Sequence, residues 1–251
     1  MKIDILTIFP EFCLPYVKGS LIGKAVENGI LDIRVHDIRA NTQDRHNRTD
    51  DTPFGGGAGM IMTPQPIFDT IKNIDSENPR YIYMSPRGKK LTGDFAVELS
   101  KENEIVILCG RYEGVDGRVL EHFDFEEVSI GDYVLTGGEL PALVLLDAAV
   151  RFMPGVVGNE NSIQNESIYS GLLEHSQYTK PRTYEGLDVP EVLFGGDHGK
   201  INLWKFEESL RITKKNRPDL FEKYLLHHVD LTSLSKKELA VLQRVKQEEY
   251  E

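Results

Sequence analysis

The chain has 251 residues, 40% of them hydrophobic and 27% charged, with a formal net charge of -11. That is the profile of one or two ordinary globular domains, and it excludes a low-complexity chain. No apolar run approaches the ~20 residues that cross a bilayer, so a membrane partner is not expected. The acidic balance argues against nonspecific nucleic-acid binding, which needs a basic surface.

The N-terminus, MKIDILTIFP, has too short an apolar run for a signal peptide and no small-residue cleavage site, so it reads as a first strand of a cytoplasmic protein. From there to residue 155, short apolar runs alternate with helical patterns. The runs predict strands over residues 2–9, 30–38, 80–85, 104–109 and 123–130. The helical patterns cover 12–28, 64–74, 92–101, 116–121 and 141–152, with the Thr92 hydroxyl placed to cap free amides. Such alternation gives an α/β fold with a mainly parallel sheet and helices on both faces. Residues 159–165 (NENSIQN) are polar and patternless and read as a linker. Beyond them, residues 201–215 and 236–249 are helical and Pro218 marks another helix start, which predicts a small, mostly helical second domain. The expected division is 1–158, a linker over 159–170, and 171–251.

Two glycine-bearing runs begin where predicted strands stop: Gly110-Arg111-Tyr112-Glu113-Gly114-Val115-Asp116 and residues 130–141 (IGDYVLTGGELP). A third turn, Met84-Ser85-Pro86-Arg87-Gly88, follows the strand over 80–85. Turns of this kind at the carboxyl edge of an α/β sheet expose backbone amides to a ligand. None matches G-x-G-x-x-G or G-x-x-x-x-G-K-[ST], so a dinucleotide or triphosphate cradle is not supported. The segment 51–62 (DTPFGGGAGMIM) has a phosphate-loop look but no following lysine. Local cations run against the global charge: Arg34, Arg39, Arg45, His46 and Arg48, then Arg211, Lys214, Lys215 and Arg217. Phosphate contact depends on such local potential. Cys13 and Cys109 sit in apolar contexts and read as buried free thiols. No His/Cys/Asp spacing marks a metal site.

These runs, with Ile5-Leu6-Thr7-Ile8-Phe9-Pro10, the 51–62 segment, Arg151-Phe152-Met153-Pro154-Gly155 and Gln177-Tyr178-Thr179-Lys180-Pro181, resemble the bacterial tRNA (guanine-N1)-methyltransferase family nearly end to end. The resemblance implies a deep trefoil knot, which general topology rules would not suggest. It also implies methyl transfer from S-adenosylmethionine to N1 of guanosine 37, a homodimer with its active site at the subunit interface, the tRNA anticodon loop as partner, and use of Mg2+ at an unspecified place. By resemblance, Tyr83, Met84, Ser85, Pro86 and Gly88 form one wall of the cofactor site; Gly110, Tyr112, Glu113 and Gly114 form the second; Ile130, Gly131, Tyr133, Leu135, Gly137 and Gly138 form the third.

Methylating N1 of guanine removes a weakly acidic proton, so a general base is needed. A fixed cation near O6 would stabilise the charge that develops there. Arg151 matches the family's cation, and its place at a helix end also suits the dipole. The family's base is an aspartate just after the linker; here Glu166 stands in its place, one methylene longer, and Glu174 is a nearby rival. Lys180 and Arg182 beside Tyr178 are candidates for RNA contact, whereas His198 and Trp204 read as packing of the small domain. Two other readings remain: a related knotted enzyme acting on another RNA, and a non-catalytic RNA-binding module.

Overall fold

The structure is a computed structural model that describes residues 1–157, 171–228 and 234–248. It contains two compact units, Met1–Gly158 and Asn159–Glu251.

In chain order the first unit runs β1 (Lys2–Thr7), α1 (Pro10–Val17), α2 (Ser20–Glu27), β2 (Asp32–Asp37), β3 (Asp50–Asp51), β4 (Ile61–Met62) and α3 (Pro64–Lys72). It continues through β5 (Arg80–Lys90), α4 (Gly93–Leu99), β6 (Glu104–Cys109), α5 (Gly117–His122), β7 (Glu126–Ser129) and α6 (Glu139–Val150). Five strands form one sheet in the order β2-β1-β6-β5-β7, and every neighbouring pair is parallel. A parallel sheet is covered on both faces, which is why β6 is an unbroken apolar run, EIVILC. The pleat divides β1 between the two faces. Ile3 and Ile5 join a core with Cys13, Val17, Phe95, Leu99, Leu145 and Leu146, while Leu6 joins one with Ile67, Ile71 and Val119.

Two caps follow the sequence. The Thr92 hydroxyl accepts from the Phe95 amide, and the Asp116 carboxylate accepts from the Arg118 amide. The helix expected over 12–28 is instead two helices, because Gly19 is extended (φ -106, ψ 165) and starts a second one. The strand expected over 123–130 is trimmed to Glu126–Ser129; Phe123 and Phe125 stack with Tyr81 instead.

The strand expected over 80–85 continues to Lys90, with an excursion that matters for the site. Met84 and Lys89 both pair with Val128 of β7, so residues 85–88 leave the sheet and return to the same rung. Gly88 makes that return possible. A Cβ there would lie 2.3 Å from the Glu127 carbonyl carbon and 2.3 Å from the Val128 nitrogen.

In the second unit, the two-residue strands β8 (Thr183–Tyr184) and β9 (Leu187–Asp188) form a small antiparallel hairpin. Among the described residues three α-helices follow: α7 (His198–Asn216), α8 (Pro218–Lys223) and α9 (Lys236–Gln247). Asp197 caps α7, and Ser235 and Glu238 make a reciprocal capping box on α9. Leu172, Leu210, Phe221, Tyr224, Val241, Leu242 and Val245 form this unit's core. Among the described residues, no helix is long and apolar enough to cross a membrane.

Candidate active site

Strands β6, β5 and β7 are adjacent, and all three point the same way. The chain leaving each of them therefore meets the others at one edge of the sheet, where α/β folds commonly bind ligands. Together they enclose a cleft of about 500 Å³. Its walls include Tyr83, Met84, Ser85 and Pro86; Gly110, Tyr112, Glu113 and Gly114; and Ile130, Gly131, Tyr133, Leu135, Gly137 and Gly138. The fifteenth residue expected there, Gly88, is not part of the lining; it packs against the β7 backbone as described. Ile61, Arg111, Val115, Leu120, Thr136 and Pro141 also line the cleft and were not anticipated from the sequence.

The cleft has a half-open aromatic rim. Tyr112 and Tyr133 are about half exposed, and Val134 is more so. Tyr112 has φ 57, a left-handed conformation that a bulky side chain rarely adopts and that tends to occur at functional sites. Tyr83 plays a different part. It is buried, and burial pushes its phenol pKa up. Its ring lies under Gly110, where a Cβ would come within 2.7 Å of the hydroxyl. Glycine at 110 is thus required by the tyrosine beneath.

The 51–62 segment is joined to this loop. The Met62 amide donates to Gly114 O (2.9 Å), Glu113 N to Met60 O (3.1 Å), and Asp116 N to Met62 O (3.0 Å). Gly59 lies against the Glu113 side chain, where a Cβ would be 2.5 Å from Cγ. At the segment's tip, Phe54 is fully exposed. Upstream, Arg45 and His46 are exposed as well, and Arg48 is engaged by Asp44 at 3.1 Å. The Asp44 carboxyl is held down at about 2 by hydrogen bonds from the Arg48 side chain and from the His46 and Arg48 amides.

Arg151, the expected cation, does not line the cleft. Arg151 caps the far end of α6, thirteen residues beyond Gly138 at the cleft, a rise of about 20 Å along the helix. Glu174 is exposed in the second unit and accepts from Gln177 Nε2 at 2.6 Å. Glu166 and the linker lie outside the described residues. Lys180 and Arg182 are exposed, with the Arg182 guanidinium 4.4 Å from the Phe194 ring centroid. Trp204 packs near His175 and Tyr178, but His198, expected in that packing, is exposed in the first turn of α7. Both cysteines are buried and free, as their contexts suggest. Burial, and then the nearby Glu139 carboxylate, push the Cys13 thiol up to about 11.

A site of this size with apolar walls, exposed loop amides and one carboxylate, Glu113, fits a nucleoside-containing ligand. Among the described residues, no three His, Cys, Asp or Glu side chains converge to hold a metal ion. They offer Mg2+ no ready-made cage, and no step of the chemistry below passes through it.

The profile of the tRNA (Guanine-1)-methyltransferase TrmD family matches residues 1–223. Among curated relatives, a tRNA (guanine-N(1)-)-methyltransferase of Clostridium perfringens (strain SM101 / Type A) is 50% identical over 94% of this chain and 100% of its own length. Proteins of the same name from Clostridioides difficile (strain 630), 48% identical over 89% of this chain and 98% of theirs, and Dictyoglomus turgidum, 45% identical over 99% and 98%, are similarly related.

Proposed function

The chain belongs to the tRNA (guanine-1)-methyltransferase family, and we propose that it transfers a methyl group from S-adenosylmethionine to N1 of guanosine 37 in the tRNA anticodon loop. The observation that carries this reading is the convergence of fourteen of the fifteen expected cofactor residues on one cleft of about 500 Å³. S-adenosylmethionine supplies an electrophilic methyl on its sulfonium sulfur. The loop backbones would hold its adenine and ribose, with Glu113 available to the ribose hydroxyls. As the N1–CH3 bond forms and the S–CH3 bond breaks, the N1 proton passes to a carboxylate. We assign that role to Glu166, with Glu174 as the rival. Arg151 would face O6, where negative charge grows.

Helix geometry gives a reason for the site to be shared between two copies. Arg151 is too far along α6 to act in the cleft at that helix's own start. Leu140, Val144, Asp147 and Arg151 recur at helical spacing along one stripe of α6. Leu140 and Val144 are half exposed, as are Phe12 and Tyr16 on the neighbouring α1, and such an apolar face suits a partner. An antiparallel pairing of two such stripes would carry Arg151 of one copy to the cleft of the other. The same reading includes a trefoil knot built from the cofactor loops, a linker over 159–170, an RNA-binding second domain over 171–251, and a cytoplasmic setting.

The test is transfer from labelled S-adenosylmethionine to tRNA transcripts carrying guanosine or adenosine at position 37, with wild type, Glu166→Gln and Glu174→Gln. Labelling of the guanosine transcript only, lost in Glu166→Gln and kept in Glu174→Gln, supports function and base together. Loss in Glu174→Gln alone moves the base. No transfer to either transcript by a wild type that binds cofactor contradicts the function.

A further inference from the structure

Glu139 is the most deeply buried acid beside the cleft, with its side chain 1% exposed, and the mechanism above gives it no part. It opens α6, and the helix start offers it a favourable dipole. The surrounding bonds are more specific than that. Thr7 Oγ1 donates to Glu139 Oε1 at 2.7 Å, while the same hydroxyl accepts from the Phe9 amide at 2.9 Å. Arg111 Nε sits 2.9 Å from Glu139 Oε2. The contact is an ion pair off the N–H axis rather than an aligned hydrogen bond. The Arg111 guanidinium also donates from Nη1 to Thr136 O at 3.2 Å and lies 4.5 Å from the Phe9 ring centroid.

Arg111 belongs to the loop after β6, Thr136 and Glu139 to the connection from β7 into α6, and Thr7 and Phe9 to the end of β1. One guanidinium therefore ties both glycine loops to each other and to the sheet. Backbone contacts run in parallel with it. Gly138 N donates to Gly110 O at 2.9 Å, and Arg111 bridges Gly137 antiparallel. A Cβ at Gly137 would lie 2.2 Å from Arg111 Nε, so any larger residue would push the guanidinium aside. A buried ion pair adds little net stability over an apolar replacement, since desolvation offsets the attraction. A pair kept at this place is better explained by the geometry that it imposes.

We propose that Arg111 and Glu139, oriented by Thr7, are positioning residues that lock the two cofactor loops in register, so that they set affinity for the cofactor without touching RNA. The inference rests on the reading of the cleft as the S-adenosylmethionine site. It makes a demand on the ligand-free protein too: the loop amides, Gly138 above all, owe their protection to this pair.

The experiment compares full-length wild type, Glu139→Gln, Thr7→Val and a remote control, Arg80→Gln. Arg80 binds Glu98, Glu102 and Glu126 at the other end of β5 and lies outside the cleft. Hydrogen exchange at the Gly138 amide is measured without ligand, and cofactor Kd and both KM values follow. In Glu139→Gln and Thr7→Val, we expect exchange at Gly138 to accelerate and cofactor Kd and KM to rise about 10-fold, the scale of a loosened support, with the KM for tRNA within about twofold. Arg80→Gln should lower the melting temperature and leave all of these unchanged. Unchanged protection and cofactor Kd in Thr7→Val and in Glu139→Gln overturn the inference, as does an equal rise in both KM values. Should Glu139→Gln fail to fold, Thr7→Val alone decides. A wild type that binds no cofactor, with protection lost as expected in the variants, supports the lock and overturns the function assigned to the cleft.

Discussion

Replacing Gly138 with alanine tests how closely the two cofactor loops must approach. Gly138 has an ordinary helical conformation (φ -82), so backbone strain does not enter. The added Cβ would lie 2.8 Å from Cys109 Cα, 2.9 Å from Gly110 N and 3.2 Å from the Cys109 carbonyl carbon. These are backbone atoms of β6 and its loop, which cannot turn aside as a side chain can. Reaching an ordinary contact of 3.4 Å requires the two segments to part by about 0.6 Å, against the hydrogen bond from Gly138 N to Gly110 O. Overpacking of this kind costs about 1–3 kcal/mol, at ~2–4 °C of melting temperature per kcal/mol for a unit of this size. A displacement approaching 1 Å at a site that aligns two reactants costs on the order of 10–100-fold in rate. Gly117→Ala, at the border of the cleft, is the matched control for stability alone. It lies in the first turn of α5 with nothing within 4 Å of the new methyl, and alanine there should be neutral or stabilise by about 0.4–1 kcal/mol. Calorimetric cofactor titration, methyl transfer and thermal melts on the three proteins make the comparison. A Gly138→Ala protein with wild-type affinity and rate would refute the claim that loop contact shapes the site.

Other consequences follow from the same geometry. Gly88→Ala, which drives a methyl into the β7 backbone at 2.3 Å, should destabilise the first unit by about 3 kcal/mol or leave the protein insoluble; a denaturant midpoint equal to wild type would show that residues 85–88 do not return as described. Tyr83→Phe removes the buried hydroxyl that lies against Gly110 and Gly114 and should cost ~1 kcal/mol, with weaker cofactor binding; equal binding would leave Tyr83 a packing residue only. The Cys13 thiol, raised to about 11 by burial and by Glu139, is deprotonated only above that pH, so at pH 8 it stays a thiol. A thiol reagent should therefore label neither cysteine in the native protein and both after denaturation; rapid native labelling would contradict their burial. Arg151→Ala and Gly138→Ala, each weak alone, should recover activity when unfolded and refolded together, because under the proposed pairing a mixed pair of copies holds one intact site; no recovery would place Arg151 and the cleft in the same copy.

The parts of this fold that the sequence revealed are those held by local chemistry. EIVILC announced β6 because a strand buried on both faces must be apolar throughout. Thr92 announced a helix start because a capping oxygen acts within three residues. The glycine runs within β5 and after β6 and β7 predicted one ligand-facing edge, and the structure brings all three around one cleft. What escaped depends on where the chain goes in three dimensions. Residues 85–88 leave β5 and return to the same partner, Val128, which no periodicity within β5 reveals. Gly88, expected at the cofactor, packs against the β7 backbone within that excursion. Arg111 stood in the first motif without a role, because its partner Glu139 is distant in sequence and meets it only through the parallel order of β6, β5 and β7. An acid placed before Leu140-Pro141 at a helix start was the one available signal for Glu139. The strands β8 and β9 are two residues long, too short for any alternation to register.

The central claim is that the nucleotide methylated is guanosine 37, at N1. Methylation there blocks Watson–Crick pairing, so it halts reverse transcription one nucleotide before the modified base. Primer extension on an unmodified tRNA transcript, after incubation with this protein and S-adenosylmethionine, tests the claim most directly. A new stop immediately 3′ of position 37, absent without cofactor and absent from an adenosine 37 transcript, is the result expected. Labelled methyl in the RNA with full-length extension, or with a stop elsewhere, would contradict it and redirect the chemistry to another atom or another nucleotide.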